Sequence, residues 1–206
     1  MTDDCVVYVI DDDSSVRAAL EDLLASVGIR VLAFETTTAF LTHGMVDIPG
    51  CLVLDVRMPG QSGIDFHRSM TGLGINLPVI FITGHGDISM GVEAIKHGAI
   101  EFLTKPFNDQ TLLDAIQNGI SMDQDRRRTK AQSMALQALW SSLSAGEQEV
   151  ARLVVRGLLN KQIAAELNVS EITVKIRRAQ VMRKMDAQTL PDLVRLTEKL
   201  ALSSLF

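Results

Sequence analysis

Cysteine is scarce. The 206 residues hold only Cys5 and Cys51, too few for a disulfide framework or a zinc site, and both are expected as reduced thiols of a cytoplasmic protein. No run of about 18 apolar residues occurs, so no membrane span and no membrane partner are expected. The opening Met1-Thr2-Asp3-Asp4 is acidic and leads into a strand pattern, unlike a signal peptide. No G-x-G-x-x-G and no P-loop follow the first apolar run, which argues against a nucleotide-binding domain. Internal repeats and low-complexity tracts are missing too.

What is present is ordinary globular material, 47% hydrophobic and 22% charged, with a net charge of -5. The total hides an asymmetry. Residues 1–122 carry 6 Lys and Arg against 16 Asp and Glu, whereas residues 123–206 carry 14 against 9. An acidic part joined to a basic part implies two domains with different partners.

The first part alternates short apolar runs with helical patterns. Val6–Ile10, Arg30–Phe34, Leu52–Leu54, Val79–Ile82 and Ile100–Leu103 read as strands. Between them lie helices carrying Val16, Leu20, Leu24 and Val27; then Ala39, Phe40 and Leu41; then Ile64, Phe66 and Met70; then Met90, Val92 and Ile95. A last helix carries Leu112, Leu113, Ile116 and Ile120. Caps are expected from Ser14 or Ser15, Asp87, and Asn108 or Asp109. Five such units predict an α/β fold, an open, doubly wound, five-stranded parallel sheet with right-handed crossovers. Residues 121–139 hold no Gly or Pro and read as a helical connector whose charge run, Asp125 to Arg128 with Lys130, is a solvated face. From Leu143 onward only helical patterns remain, a second, all-α domain.

Four strands end in polar residues: Asp11 and Asp12, Asp55, Thr83 and Lys105. In a parallel sheet these ends share one edge, where ligands of such folds bind. A lone Asp there is ordinarily a cap or loop residue; the joint pattern is harder to reach by chance. Several carboxylates together call for a cation, and hard oxygen donors suit Mg²⁺. Asp55 is then placed as a nucleophile toward phosphorus, with Lys105 and the Thr83 hydroxyl stabilising the added charge.

The residues Val9-Ile10-Asp11-Asp12-Asp13, Leu52-Val53-Leu54-Asp55-Val56-Arg57-Met58-Pro59-Gly60, Phe81-Ile82-Thr83-Gly84 and Lys105-Pro106-Phe107 resemble the receiver domain of bacterial two-component response regulators over about residues 5–120. Ile82-Thr83-Gly84-His85-Gly86-Asp87 resembles the FixJ branch in particular. The resemblance implies strand order 2-1-3-4-5 and Asp55 as phosphoacceptor. It implies Mg²⁺ held by Asp11, Asp12, Asp55 and the Arg57 carbonyl, and a cis Lys105-Pro106 bond. Thr83 and Phe102 then form the switch. Asp13 is an acid beyond the two required. The positions flanking the path of attacking water are Arg57 and His85. Neither is well suited to orient water, so a long-lived phosphoryl group is expected.

Val154 to Gly157, Asn160 to Ser170 and Thr173-Val174-Lys175 resemble the LuxR/NarL-type helix-turn-helix. Ser170 is placed to cap the recognition helix. On a helical wheel Val174, Val181 and Met185 face inward, while Lys175, Ile176, Ala179 and Arg183 face outward, toward a major groove. Arg177 replaces the His usual in this family. Arg177, Thr173 and Lys161 complete the candidate DNA contacts, Lys161 as a phosphate contact, while on the wheel Arg177 and Arg178 lie nearer the core side, placed either to reach phosphates or to brace the fold. Leu193, Val194 and Leu196 of the final helix are candidates for dimer contacts.

The reading is a FixJ/NarL-family response regulator, not an enzyme: a receiver over 1–121, a helical linker over 122–140 and a DNA-binding domain over 141–206. Its implied partners are a sensor histidine kinase, double-stranded operator DNA, RNA polymerase and, on phosphorylation, a second copy of the chain. One rival is a Mg²⁺-dependent phosphatase of the haloacid-dehalogenase type, which needs a second acid where Arg57 stands. Another is a stand-alone module whose helical part binds protein.

Overall fold

The computed structural model describes residues 5–84 and 88–203, and divides into two compact units, 1–127 and 128–206. Among the described residues the first unit is a five-stranded sheet: β1 (Val6–Ile10), β2 (Arg30–Phe34), β3 (Gly50–Asp55), β4 (Val79–Thr83) and β5 (Glu101–Thr104). All neighbours are parallel and the order is β2-β1-β3-β4-β5, as the resemblance implies. The helices are α1 (Ser14–Ser26), α2 (Thr37–His43), α3 (Gly63–Met70), α4 (Ile88–Lys96) and the start of α5 (Asp109–Ser141).

The strands read as unbroken apolar runs because both faces are covered. Alternate residues of β1, β3 and β4 serve opposite cores. Tyr8, Ile10, Leu52, Leu54 and Phe81 pack with Phe40 of α2, Phe66 and Met70 of α3 and Ala94 of α4. Val7, Val9, Cys51, Val53, Ile80 and Ile82 pack with Leu20 and Leu24 of α1 and Leu112 and Ile116 of α5. Cys51 stands within β3 rather than before it, and burial pushes its thiol well above the usual range.

The cap of α1 is Asp13, not Ser14 or Ser15. Its carboxylate accepts from the Ser15 amide at 2.8 Å, because a carboxylate one residue earlier reaches the exposed amides that the serines themselves supply. This accounts for the extra acid after Asp11 and Asp12. Asn108 caps α5, accepting from the Gln110 amide at 2.8 Å. Asp87 lies outside the described residues.

The connector is helical, as read, and Asp125, Arg126, Arg128 and Lys130 of its charge run are exposed. It continues α5 without a break, and the compact units divide inside it, between Arg127 and Arg128. Asp123 is 0% exposed. Its carboxylate accepts from the Gly50 amide at 3.0 Å, from Arg127 Nε at 2.8 Å and from Arg126, while Arg127 also reaches Asp47 at 2.6 Å. The two guanidinium groups hold the Asp123 carboxyl below the usual carboxylate range against the opposing effect of burial.

The second unit gathers α6 (Ala145–Val155), α7 (Asn160–Glu166), α8 (Glu171–Lys184) and α9 (Leu190–Ser203) around one core. Val150, Val154, Ile163, Val174, Val181, Met185 and Leu193 fill it, with Leu136 from the end of α5. Ser144 and Glu147 form a reciprocal cap on α6, and Lys184 of α8 reaches Glu147 at 2.6 Å. Between α7 and α8 the chain reverses at Asn168, whose φ is 52°, and Val169 donates to the Ala164 carbonyl.

Asp123→Ala should destabilise the first unit by roughly 3 kcal/mol, since the Gly50 amide loses its acceptor and two arginines lose their partner. Urea denaturation monitors this. Because the folded Asp123 pKa is depressed, its contribution is present above the ordinary carboxylate range and fades as pH falls through the folded value. The wild-type advantage over Asp123→Ala should therefore shrink in acid. An advantage that held constant down to strong acid would contradict the role given to this carboxylate.

Candidate functional site

The C-terminal ends of β1, β3, β4 and β5 bring Asp11, Asp55, Thr83 and Lys105 to one edge, because every strand points the same way. Asp11 and Asp55 are buried, 1% and 5% exposed, and Thr83 is buried too. Lys105 reaches between the acids: its Nζ lies 2.6 Å from Asp11 Oδ2 and 3.2 Å from Asp55 Oδ1. The other oxygen of each acid is occupied as well. Asp11 Oδ1 accepts from the Asp13 amide, and Asp55 Oδ2 from the Arg57 amide, both at 2.9 Å. Arg17 of α1 donates to the Asp11 carbonyl at 2.7 Å.

One ammonium therefore serves two buried carboxylates. Burial pushes the Asp55 carboxyl above its ordinary range; Lys105 opposes the shift and Asp11 adds to it. Burial works against the Lys105 ammonium, but the Asp11 hydrogen bond and both carboxylates hold its pKa above the usual lysine value. The pocket is short of positive charge. Asp12 is exposed at its mouth, as is Arg57.

Among the described residues no three His, Cys, Asp or Glu side chains are gathered closely enough to hold a metal ion. The donors still fit Mg²⁺ in kind: hard carboxylate oxygens of two buried acids, an unmet negative charge and a third acid nearby.

Gly63, which the sequence reading passed over, supports this edge. A Cβ at that position would lie 2.1 Å from the Asp55 carbonyl oxygen, and the Gly63 amide donates to the Val56 carbonyl at 3.0 Å. Only a glycine lets the start of α3 sit against the strand end that carries Asp55. The signal was visible as a Gly next to the helix cap Ser62, but closeness to another strand's backbone leaves no mark on local pattern.

Thr83 closes β4 beside Thr104, and its carbonyl accepts from the Lys105 amide at 2.7 Å. Phe102 is partly buried, its ring tilted against Phe81 at 6.4 Å between centroids. Phe102 also fills the space over Gly91 of α4, where a Cβ would meet the ring at 3.1 Å. The Lys105-Pro106 bond is cis. His85 lies outside the described residues, so of the two positions expected to flank attacking water only Arg57 is placed.

In the second unit the expected outward residues of α8 are exposed: Lys175, Ile176, Ala179 and Arg183. Lys161 is exposed at the start of α7. Two other candidates stand apart from that stripe. The Thr173 hydroxyl bonds Ser170 Oγ at 2.9 Å as part of the cap of α8. The Arg177 guanidinium lies against Gly146 of α6, where a Cβ would fall 2.7 Å from its carbon. Arg178 reaches Asn160 at 3.2 Å and ties α8 to α7. Leu193 faces the core and Leu196 packs partly against it, so within this unit they serve packing.

No helix among the described residues is long and apolar enough to cross a membrane. Residues 7–117 match the family described as Response regulator receiver domain, and residues 141–197 that described as Bacterial regulatory proteins, luxR family. The chain is 49% identical to Nodulation protein W of Bradyrhizobium diazoefficiens, over 97% of this chain and 88% of that protein. Its fold is similar to the response regulator StyR, with a TM-score of 0.88 at 48% identity over 95% of this chain and 99% of that one. It is similar to full-length FixJ from B. japonicum, with a TM-score of 0.58 at 39% identity over 98% and 99%. The chain belongs to the two-component response regulators that join a receiver domain to a LuxR-type DNA-binding domain.

Proposed function

We propose that Asp55 accepts a phosphoryl group from a sensor histidine kinase, and that the modified receiver changes how residues 141–206 bind an operator. The observation that carries this reading is the shared Lys105 ammonium between buried Asp11 and Asp55. In the transfer, an Asp55 oxygen bonds to phosphorus as the phosphorus–nitrogen bond of the kinase's phosphohistidine breaks. The imidazole nitrogen leaves and takes up a proton. Asp11, Asp12, Asp55 and the Arg57 carbonyl would hold Mg²⁺, which supplies charge neutralisation for the incoming phosphoryl oxygens.

The new group adds roughly -1.5 to -2 charges to an acidic pocket. Lys105 is the cation already present to meet it. Thr83, buried beside that edge, is the hydroxyl drawn toward the phosphoryl group. Phe102, over Gly91, is the ring whose position then alters the α4–β5 surface. That surface pairs with a second receiver or releases the DNA-binding domain, from a pre-existing equilibrium shifted by a few kcal/mol. A dimer would present two α8 helices to half-sites roughly 34 Å apart. The setting is the cytoplasm, and RNA polymerase is the further partner of a regulator bound at a promoter.

Gel-shift titration of the full chain, with and without a small acyl-phosphate donor, tests the switch. Wild type should bind its operator more tightly with the donor, while Asp55→Asn should show one affinity in both conditions. Thr83→Ala should accept phosphoryl but respond weakly. Equal wild-type affinity in both conditions, with Asp55 shown to be phosphorylated, would sink the switch. Stability offers an independent check. The raised Asp55 pKa means that the folded state loses stability as pH climbs through the folded value. Asp55→Asn should thus melt a few degrees higher at neutral pH, a gain of about 1 kcal/mol, and the gain should vanish in acid below the ordinary carboxylate range. A lower Tm for Asp55→Asn at neutral pH would count against the shared-cation account.

A further inference from the structure

The exposed face of α8 is not uniformly basic. Ile172 is 70% exposed and Ile176 is 58% exposed. Neither packs against the core of the second unit, which is filled without them. They are four residues apart, so they lie one above the other on the helix. Lys175, Ala179 and Arg183 share that face. It is an apolar stripe flanked by cations, on the helix whose N-terminal turns enter a major groove in this class of motif. Ile172 stands in the first turn, just past the Ser170 cap, where such helices meet base edges.

We propose that Ile172 and Ile176 read thymine 5-methyl groups, setting sequence preference at two neighbouring positions of each half-site. The major-groove edge of a base pair offers hydrogen-bonding groups and, at thymine alone, a methyl. A branched aliphatic chain has no donor or acceptor and can discriminate only through that methyl. The flanking Lys175 and Arg183 supply attraction to phosphate or guanine, which brings the stripe to the groove without sharing its apolar preference. Arg177 lies against Gly146 and the Thr173 hydroxyl is bonded to Ser170 in the cap, which leaves base reading to this stripe.

The inference rests on the DNA-binding reading, and the test separates the two. The full chain, treated with a small acyl-phosphate donor, is used to select duplexes from a randomised library. Each thymine of the enriched site is then replaced by deoxyuridine, which removes only the methyl. Wild type should lose about fourfold in affinity at each of two adjacent positions, the value of one buried methyl-sized group. In Ile172→Ser the loss at one position should disappear, and in Ile176→Ser the loss at its neighbour. Thermal unfolding of both variants followed by circular dichroism should match wild type, which shows that the domain remains folded. Ile172→Val should keep part of the effect. Methyl effects that survive both serine substitutions, or an enriched site indifferent to deoxyuridine, would overturn the inference while leaving DNA binding intact. A library with no enriched sequence would overturn both.

Discussion

A single ammonium shared by two buried carboxylates governs the receiver. Asp11 and Asp55 sit at adjacent strand ends because β1 and β3 pair in parallel register, Ile10 beside Leu54. Lys105 arrives from β5 across the edge. Two negative charges against one positive is a poor arrangement for stability and a good one for accepting a cation and exchanging a carboxylate for an acyl phosphate. The surrounding structure exists to hold that imbalance. Amides of Asp13 and Arg57 take the remaining carboxylate oxygens, Arg17 secures the strand end, and Gly63 lets α3 close against it.

The second unit is built on the opposite principle. Among the described residues its core is apolar, its buried charge is the Glu147 cap with Lys184, and Lys175, Ile176, Ala179 and Arg183 are exposed. The receiver gathers buried charges in a pocket; the helical unit sets exposed cations along one helix face. The charge asymmetry of the two parts of the chain follows from this. Under the proposed function, acid gathers where a cation and a phosphoryl group would be received, and base where a polyanion would be met.

Much of this was legible in the chain. The strands were visible because doubly covered strands are short and continuously apolar, and Val6–Ile10 and Arg30–Phe34 fall at the expected bounds. The strand ends were visible because a parallel sheet turns sequence position into spatial position, so Asp55 and Lys105 could be brought together on paper. The inward and outward faces of α8 followed from its period. What was hidden depends on contacts between elements far apart in sequence. Asp13 was an acid without a role until its bond to the Ser15 amide made it a cap. Gly63 drew no reading at all, because its contact with the Asp55 carbonyl leaves no local pattern. Arg177 fell nearer the core side of the wheel, but that Gly146 is what it lies against could not be read from the period. Asp123 looked like one more polar residue of a connector, because its partner Gly50 is 73 residues away.

That last bond has a consequence for where the receiver can be cut. The family match ends at residue 117, and the charge pattern places the break near residue 121. A fragment trimmed there would keep every residue of the phosphoryl site. It would also strip the acceptor from the Gly50 amide and the arginine from Asp47, opening the start of β3 to water at the end opposite Asp55. Extending the fragment through Arg127 keeps the whole cluster. The functional boundary of this receiver is thus drawn by a buried carboxylate in the first turns of what looks like linker. Excised domains that stop short of it would report the chemistry of the site on a loosened sheet.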